Sequence, residues 1–270
     1  MITGCTGIAL YCTDRITPME TYEIGLSFFE AIDVRVNDAS YYKLLENGDH
    51  EGDHDIFDAS PTQLKKMIAE NEVSSFWIYH NLKKQVPWHV AFSRQTQEFS
   101  GSHYLMAICE FPIEETYEPL TKWLMRLANR YPQFPYGILY TSDKITNAIY
   151  YAAGNNAARM FPYEDVFAFK KETPGLYDGK GRYSGEMLRM VYPCNLINRR
   201  HLQIEIEGME LKDWIMNSKD CGTLTELGQD LWMWEVGMEH LERVNQACGE
   251  AGFLVTWKPQ HPKKPRRKLP

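Results

Sequence analysis

Residues 211–257, LKDWIMNSKDCGTLTELGQDLWMWEVGMEHLERVNQACGEAGFLVTW, constrain the fold more than any other stretch. Residues 211–216 have helical apolar spacing, and Gly222 closes that segment. Residues 223–227 read as a strand, Gly228-Gln229-Asp230 as a turn, and residues 231–236 as a second strand apolar on both faces. Residues 238–250 then predict a helix with Leu241, Val244, Cys248 and Ala251 along one side. Gly252 falls where a helix C-cap belongs, and residues 253–257 return to a strand pattern. A chain that switches between helical and strand periods this quickly stacks helices on a sheet. The expectation is an α+β fold with mixed or antiparallel sheets and packed helices.

The rest of the chain supports that class. Residues 6–12 read as a strand and residues 21–32 as a helix with Tyr22, Leu26, Phe29 and Ile32 on one face. Ser60 and Pro61 spell an N-cap followed by a first-turn proline. Residues 73–79, 86–93 and 103–111 read as strands, residues 114–130 as a long helix, and residues 136–141 as a strand. This order resembles a longer version of the 211–257 unit, which leaves two similar halves open. Beyond it, residues 145–158 read as a helix, and 165–170, 188–192 and 203–207 as strands. Residues 193–201 read as a loop or short helix. Residues 173–184 are Gly-rich and read as a flexible linker. The expected organisation is an N-terminal region over 1–172, a C-terminal region over 185–258 and a disordered basic tail over 259–270.

The formal net charge is −7, but five basic residues sit in the last ten positions. Without those five, 24 basic residues face 36 acidic ones, a net −12. A body this acidic repels nucleic acid and suits a basic partner. The abundant aromatics, 7 Trp and 16 Tyr, fit either a core or an interface. The six cysteines show no CxxC spacing, so no structural zinc site is expected. Residues 2–12 lack a basic leader, and no apolar run reaches ~18 residues. A cytoplasmic location without membrane contact is therefore expected, with no cofactor.

One loop concentrates charge. Residues 46–58, ENGDHEGDHDIFD, hold six acidic residues and no basic one. Within it His50-Glu51-Gly52-Asp53-His54 matches H-E-x-x-H, which on a helix would put two imidazoles on one metal with Glu51 as base. A metal-dependent hydrolase using His50, Glu51 and His54 is thus the alternative. The local composition opposes it. Gly52 costs roughly 1 kcal/mol in a helix interior, and no apolar stripe would dock such a helix. A calcium loop fails too, with His54 at its sixth position and Ser60 at its twelfth. The remaining use of Asp49, Glu51, Asp53, Asp55 and Asp58 is electrostatic. A row of carboxylates can imitate phosphates and enter a basic cleft. Exposed aromatics, with Trp77, Trp88 and Trp232 as candidates, would anchor the contact. The Gly-rich segment 175–185 lacks the GK[ST] of a phosphate loop.

Several short patterns carry a resemblance. They are Tyr192-Pro193 with Asn195, Asn198 and His201-Leu202, Leu211-x-x-Trp214-Ile215, Gly222-Thr-Leu, Leu231-Trp-x-Trp234-Glu-Val and Ala251-Gly252. Near the N-terminus, Glu23-x-Gly25-Leu26-x-Phe28-Phe29 joins them. Together they resemble bacterial immunity proteins encoded beside polymorphic toxins, including those of type VI secretion. The group partnered with restriction-endonuclease-fold DNase toxins is the most similar. The resemblance implies a non-enzymatic protein that binds a cognate toxin in the cytoplasm and blocks it. A non-catalytic adaptor without a toxin is the third possibility. The residues do not specify an oligomeric state.

Overall fold

The structure, a computed structural model, describes residues 4–50, 52–82, 88–131, 134–175, 177–228 and 230–259. The fold is α+β. The chain begins with β1 (Cys5–Tyr11), α1 (Pro18–Ala31), β2 (Asp38–Leu44), β3 (His54–Ala59) and α2 (Pro61–Ala69). Next come β4 (Phe76–His80), β5 (Val90–Gln95), a single turn α3 (Gln97–Ser100), β6 (Tyr104–Cys109), α4 (Ile113–Arg130) and β7 (Tyr136–Ser142). It continues through α5 (Ile145–Ala153), α6 (Ala168–Glu172), β8 (Cys194–Asn198), α7 (Arg199–Leu202) and a small ribbon, β9 (Glu205–Ile206) with β10 (Met209–Glu210). The described chain closes with α8 (Leu211–Asn217), β11 (Thr223–Gly228), β12 (Leu231–Glu235) and α9 (Leu241–Glu250).

Ten strands form one sheet in the order β11-β12-β8-β7-β1-β6-β5-β4-β2-β3, and its pairings are antiparallel. The N-terminal and C-terminal regions meet within it, since β8 pairs with β7. β1 lies near the middle and is buried at all its positions. Its Gly7 is required there, because a Cβ would sit 2.5 Å from the Tyr140 ring laid across it.

The side chains of alternate residues feed two cores. Ile8, Leu10, Phe76, Phe92, Leu105 and Leu139 pack under α1, α2 and α4. Ala9, Tyr11, Tyr104, Tyr136, Tyr140 and Trp234 face the opposite layer, built from α5, α6 and the irregular C-terminal segments. Two helices of the first layer, α1 and α2, start on side-chain caps. Thr17 and Glu20 form a reciprocal capping box ahead of Pro18, and Ser60 accepts from the Gln63 N–H at 3.2 Å.

Several expectations are corrected. Residues 188–192 and 253–257 are not sheet strands. They meet each other instead, Leu188 bridging to Leu254, with the Leu188 N–H donating to the Phe253 carbonyl at 2.8 Å. The strand lies one step later, at β8, because the buried Asn195 amide takes both backbone groups of Tyr192 and turns the chain at Pro193. Residues 165–170 enter helix α6 rather than a strand, since the Asp165 carboxylate accepts from the Phe167 N–H at 3.0 Å and starts a turn. The supposed linker is pinned. Arg182 gives its backbone N–H, Nε and Nη2 to the Glu172 carboxylate, and Gly175, at φ +116°, lies against the Gly101 carbonyl. Residues 260–270 of the expected tail lie outside the described residues. Among the described residues no helix is long and apolar enough to cross a membrane.

Candidate functional site

The acidic stretch folds as a hairpin at one end of the sheet. β2 and β3 pair as Lys43 with Asp55, Tyr42 with Ile56, Tyr41 with Phe57 and Ser40 with Asp58. β3 is the last strand, so its outer edge meets no neighbour among the described residues. The expected loop over 46–58 is therefore half strand. Exposed Ile56 and Phe57 are adjacent, one on each face, which removes the alternation that marks most strands.

The carboxylates divide by role. Asp53 staples the turn: its Oδ2 accepts from the His50 N–H at 2.9 Å, and its carbonyl from the Leu45 N–H at 2.8 Å. Asp55 Oδ1 accepts from the Ile56 N–H at 2.8 Å, which occupies one backbone donor of the strand. Asp49 and Asp58 are exposed, and neither they nor Asp55 form an ion pair among the described residues. Glu51 lies outside the described residues. Segment 38–59 holds seven acidic residues against the single Lys43, so its field is strongly negative.

The His50 and His54 pair does not take the helical arrangement that the motif needs. His50 is in the turn and His54 opens the edge strand. His54 instead packs its ring against Phe99 at 5.1 Å and Tyr42 at 5.7 Å. No group of three potential metal ligands occurs among the described residues.

An aromatic floor adjoins the hairpin. Trp88 stacks on Tyr79 at 4.4 Å and leans on Trp77 at 4.9 Å, and Trp77 Nε1 donates to the Tyr42 hydroxyl at 3.1 Å. Of the three candidate anchors, Trp77 and Trp232 are buried and only Trp88 is half-exposed. The exposed apolar surface comes instead from Leu44, Leu45, Ile56 and Phe57, 37–49% exposed. Sequence inspection misses these four because they are scattered among charges. Burial, then Asp38 and Asp58, push the Tyr79 hydroxyl up to about 12.

Charge is handled differently under the centre of the same face. Arg189 is fully enclosed. Its Nη1 donates to the Tyr11 hydroxyl at 3.0 Å and to the Tyr151 carbonyl at 2.6 Å, and its guanidinium lies 3.6 Å from the Tyr151 ring centre and 4.0 Å from that of Phe169. Glu164 accepts from the N–H groups of Met160 at 2.7 Å and Phe161 at 2.9 Å, and from the Tyr151 and Thr256 hydroxyls. Burial pushes the Tyr151 and Tyr192 hydroxyls far above their usual range. The cysteines are free, and burial raises the Cys5 and Cys12 thiols to about 11, which keeps them protonated.

No protein-family profile matches the chain, and no curated protein matches it significantly. Among solved structures it is similar to the Pseudomonas aeruginosa T6SS protein PA0821, with a TM-score of 0.56 over 93% of this chain and 73% of that one. Identity is 14%, so the likeness is one of fold.

Proposed function

We propose that this chain serves type VI secretion as an immunity protein. It binds a cognate secreted toxin, a nuclease, in the cytoplasm and occludes it by stoichiometric binding rather than by catalysis. The fold shared with a T6SS protein supports the setting. The observation that carries the reading is the β2–β3 hairpin, where Asp49, Asp55 and Asp58, without ion pairs among the described residues, and exposed apolar side chains share the edge of the sheet. A nuclease cleft is basic because it holds phosphates. Asp49, Asp55 and Asp58 would steer such a cleft inward, while Ile56, Phe57 and half-exposed Trp88 supply the contact that outlasts the encounter. The same carboxylates repel the acidic edge of a second copy, which limits self-pairing of β3.

The test is co-expression with the toxin encoded beside this gene. The intact chain should restore colony formation and form a one-to-one complex. Asp49→Lys, Asp55→Lys and Asp58→Lys together should slow association about tenfold or more at low salt. No protection by the intact chain, or a wild-type association rate for the triple variant, defeats the proposal.

A further inference from the structure

Away from the hairpin, where β8 and β12 run at the other end of the sheet, lie two hollows of about 330 and 470 Å³. Both are lined by Pro193 and Met238, so they adjoin as one groove. Phe161, Tyr163, Val236 and Ile113 complete its apolar walls, and Met238 stands 54% exposed between them. An exposed methionine in a groove adapts to apolar anchors of many shapes.

The walls are held in place before anything binds. The buried Glu164 carboxylate takes the N–H groups of Met160 and Phe161, fixing that wall. From the other side, the Tyr117 hydroxyl bridges the Pro193 carbonyl at 3.2 Å and Glu235 Oε1 at 2.7 Å. A preformed groove loses little ordering entropy on binding.

Its polar lining is lopsided. Glu242 lines one hollow, and Glu114, Glu235 and Glu239 line the other, against Lys219 and His240. The His240 ring already lies 3.5 Å from Glu239 and 3.8 Å from Asp220. We propose that this groove binds a segment of a protein partner in which an apolar side chain is flanked by lysine or arginine. The apolar floor takes the anchor and the four glutamates take the cations. Nucleic acid is disfavoured because phosphates would meet carboxylates. A second copy is disfavoured because a two-fold contact would set this acidic rim against itself. The proposal does not rest on the immunity reading.

The experiment uses the full chain and a fluorescein-labelled synthetic peptide of alternating leucine and lysine, read by anisotropy at physiological salt. Saturable binding is expected, at least tenfold tighter than an all-lysine peptide of equal length. The Glu239→Lys/Glu242→Lys variant and, separately, Met238→Ser should each weaken it at least tenfold. Asp55→Lys/Asp58→Lys in the distant hairpin should leave it within twofold. Equal binding of the all-lysine peptide, indifference to both groove variants, or an equal loss from the hairpin variant overturns the proposal. The chain's own residues 260–270 carry five basic residues and follow Pro259, close to the Lys258 N–H that donates to the Tyr163 carbonyl at the groove wall. If replacing those five with serine tightens the peptide tenfold, that segment is the occupant and the partner proposal falls.

Discussion

Arg189 and Asp58 belong to the same face of the sheet, yet the molecule treats their charges in opposite ways. The guanidinium of Arg189 is sealed beneath α5 and α6 between aromatic rings, and a tyrosine hydroxyl and a backbone carbonyl take its Nη1 protons. The carboxylate of Asp58 is exposed on the last strand with no ion pair among the described residues. A buried charge must be partnered or the fold loses several kcal/mol. An exposed charge costs the fold little either way, so folding does not account for its clustering. The seven acidic residues of segment 38–59 fit the partner surface proposed above. The tyrosine-lined centre fits one shaped by folding alone.

The comparison breaks first if the centre is soft. Glu164→Ala strands two backbone N–H groups and two hydroxyls, and Arg189→Ala opens a cavity among the rings. Each should cost about 3–5 kcal/mol in urea denaturation. A loss below about 1 kcal/mol in both would show that the network is incidental.

The centre should also carry the acid sensitivity. Burial holds His201 down to about 4, while its Nε2 faces the Tyr183 and Met187 carbonyls at 3.0 and 3.1 Å and Nδ1 accepts from the Asn198 N–H. The unfolded chain takes up a proton near pH 6.5 that the folded chain refuses until about pH 4. Stability is therefore full above pH 6.5 and falls as the pH drops through that window. The expected loss is about 2 kcal/mol between pH 7 and pH 5. A His201→Gln chain should lose that slope. An unchanged slope would move the sensitivity elsewhere.

Much of the first layer was legible because helix caps are local. Ser60 and Pro61 announce a start whatever surrounds them, whereas the capping box of Thr17 and Glu20 went unread, and the helix expected over 21–32 begins at Pro18. Strands in the second half were harder. Residues 188–192, LRMVY, look more like a strand than CNLIN does, yet only the latter joins the sheet. The decision rests on Asn195, whose amide is satisfied by Tyr192 and Trp234, a partner 39 positions away. The hairpin showed itself as charge but not as a strand, since an edge exposed on both faces has no reason to alternate. The groove was illegible. It gathers residues near 113, 161, 193 and 238, which only the completed topology brings together.

A smaller effect lies between the two regions. Arg182 holds the Glu172 carboxylate below the usual range through hydrogen bonds, with Glu172 nearly buried and Arg182 half exposed. A carboxyl with a depressed pKa contributes above its unfolded value and loses that contribution as pH falls through the folded one. With solvent screening on the arginine side, Glu172→Gln should cost about 1 kcal/mol at pH 7 and much less at pH 3. A cost independent of pH would mean that the loop is held by packing and not by the pair.

The hairpin should give the smallest stability effect, and that makes it the sharpest test of the contrast. Among the described residues Asp49, Asp55 and Asp58 make no ion pair, and of their carboxylates only that of Asp55 takes a hydrogen bond, accepting from the Ile56 N–H. Reversing all three to lysine should shift unfolding free energy by no more than about 0.5 kcal/mol, as for surface sites generally. Relieved self-repulsion acts in the stabilising direction, since segment 38–59 holds seven acidic residues against one lysine. The same variant is the one expected to slow toxin association about tenfold. Circular dichroism melts and stopped-flow association on one preparation separate the two quantities. A large stability loss with unchanged association would reverse the assignment, making the acidic edge a folding element and leaving the partner surface to be sought on the groove.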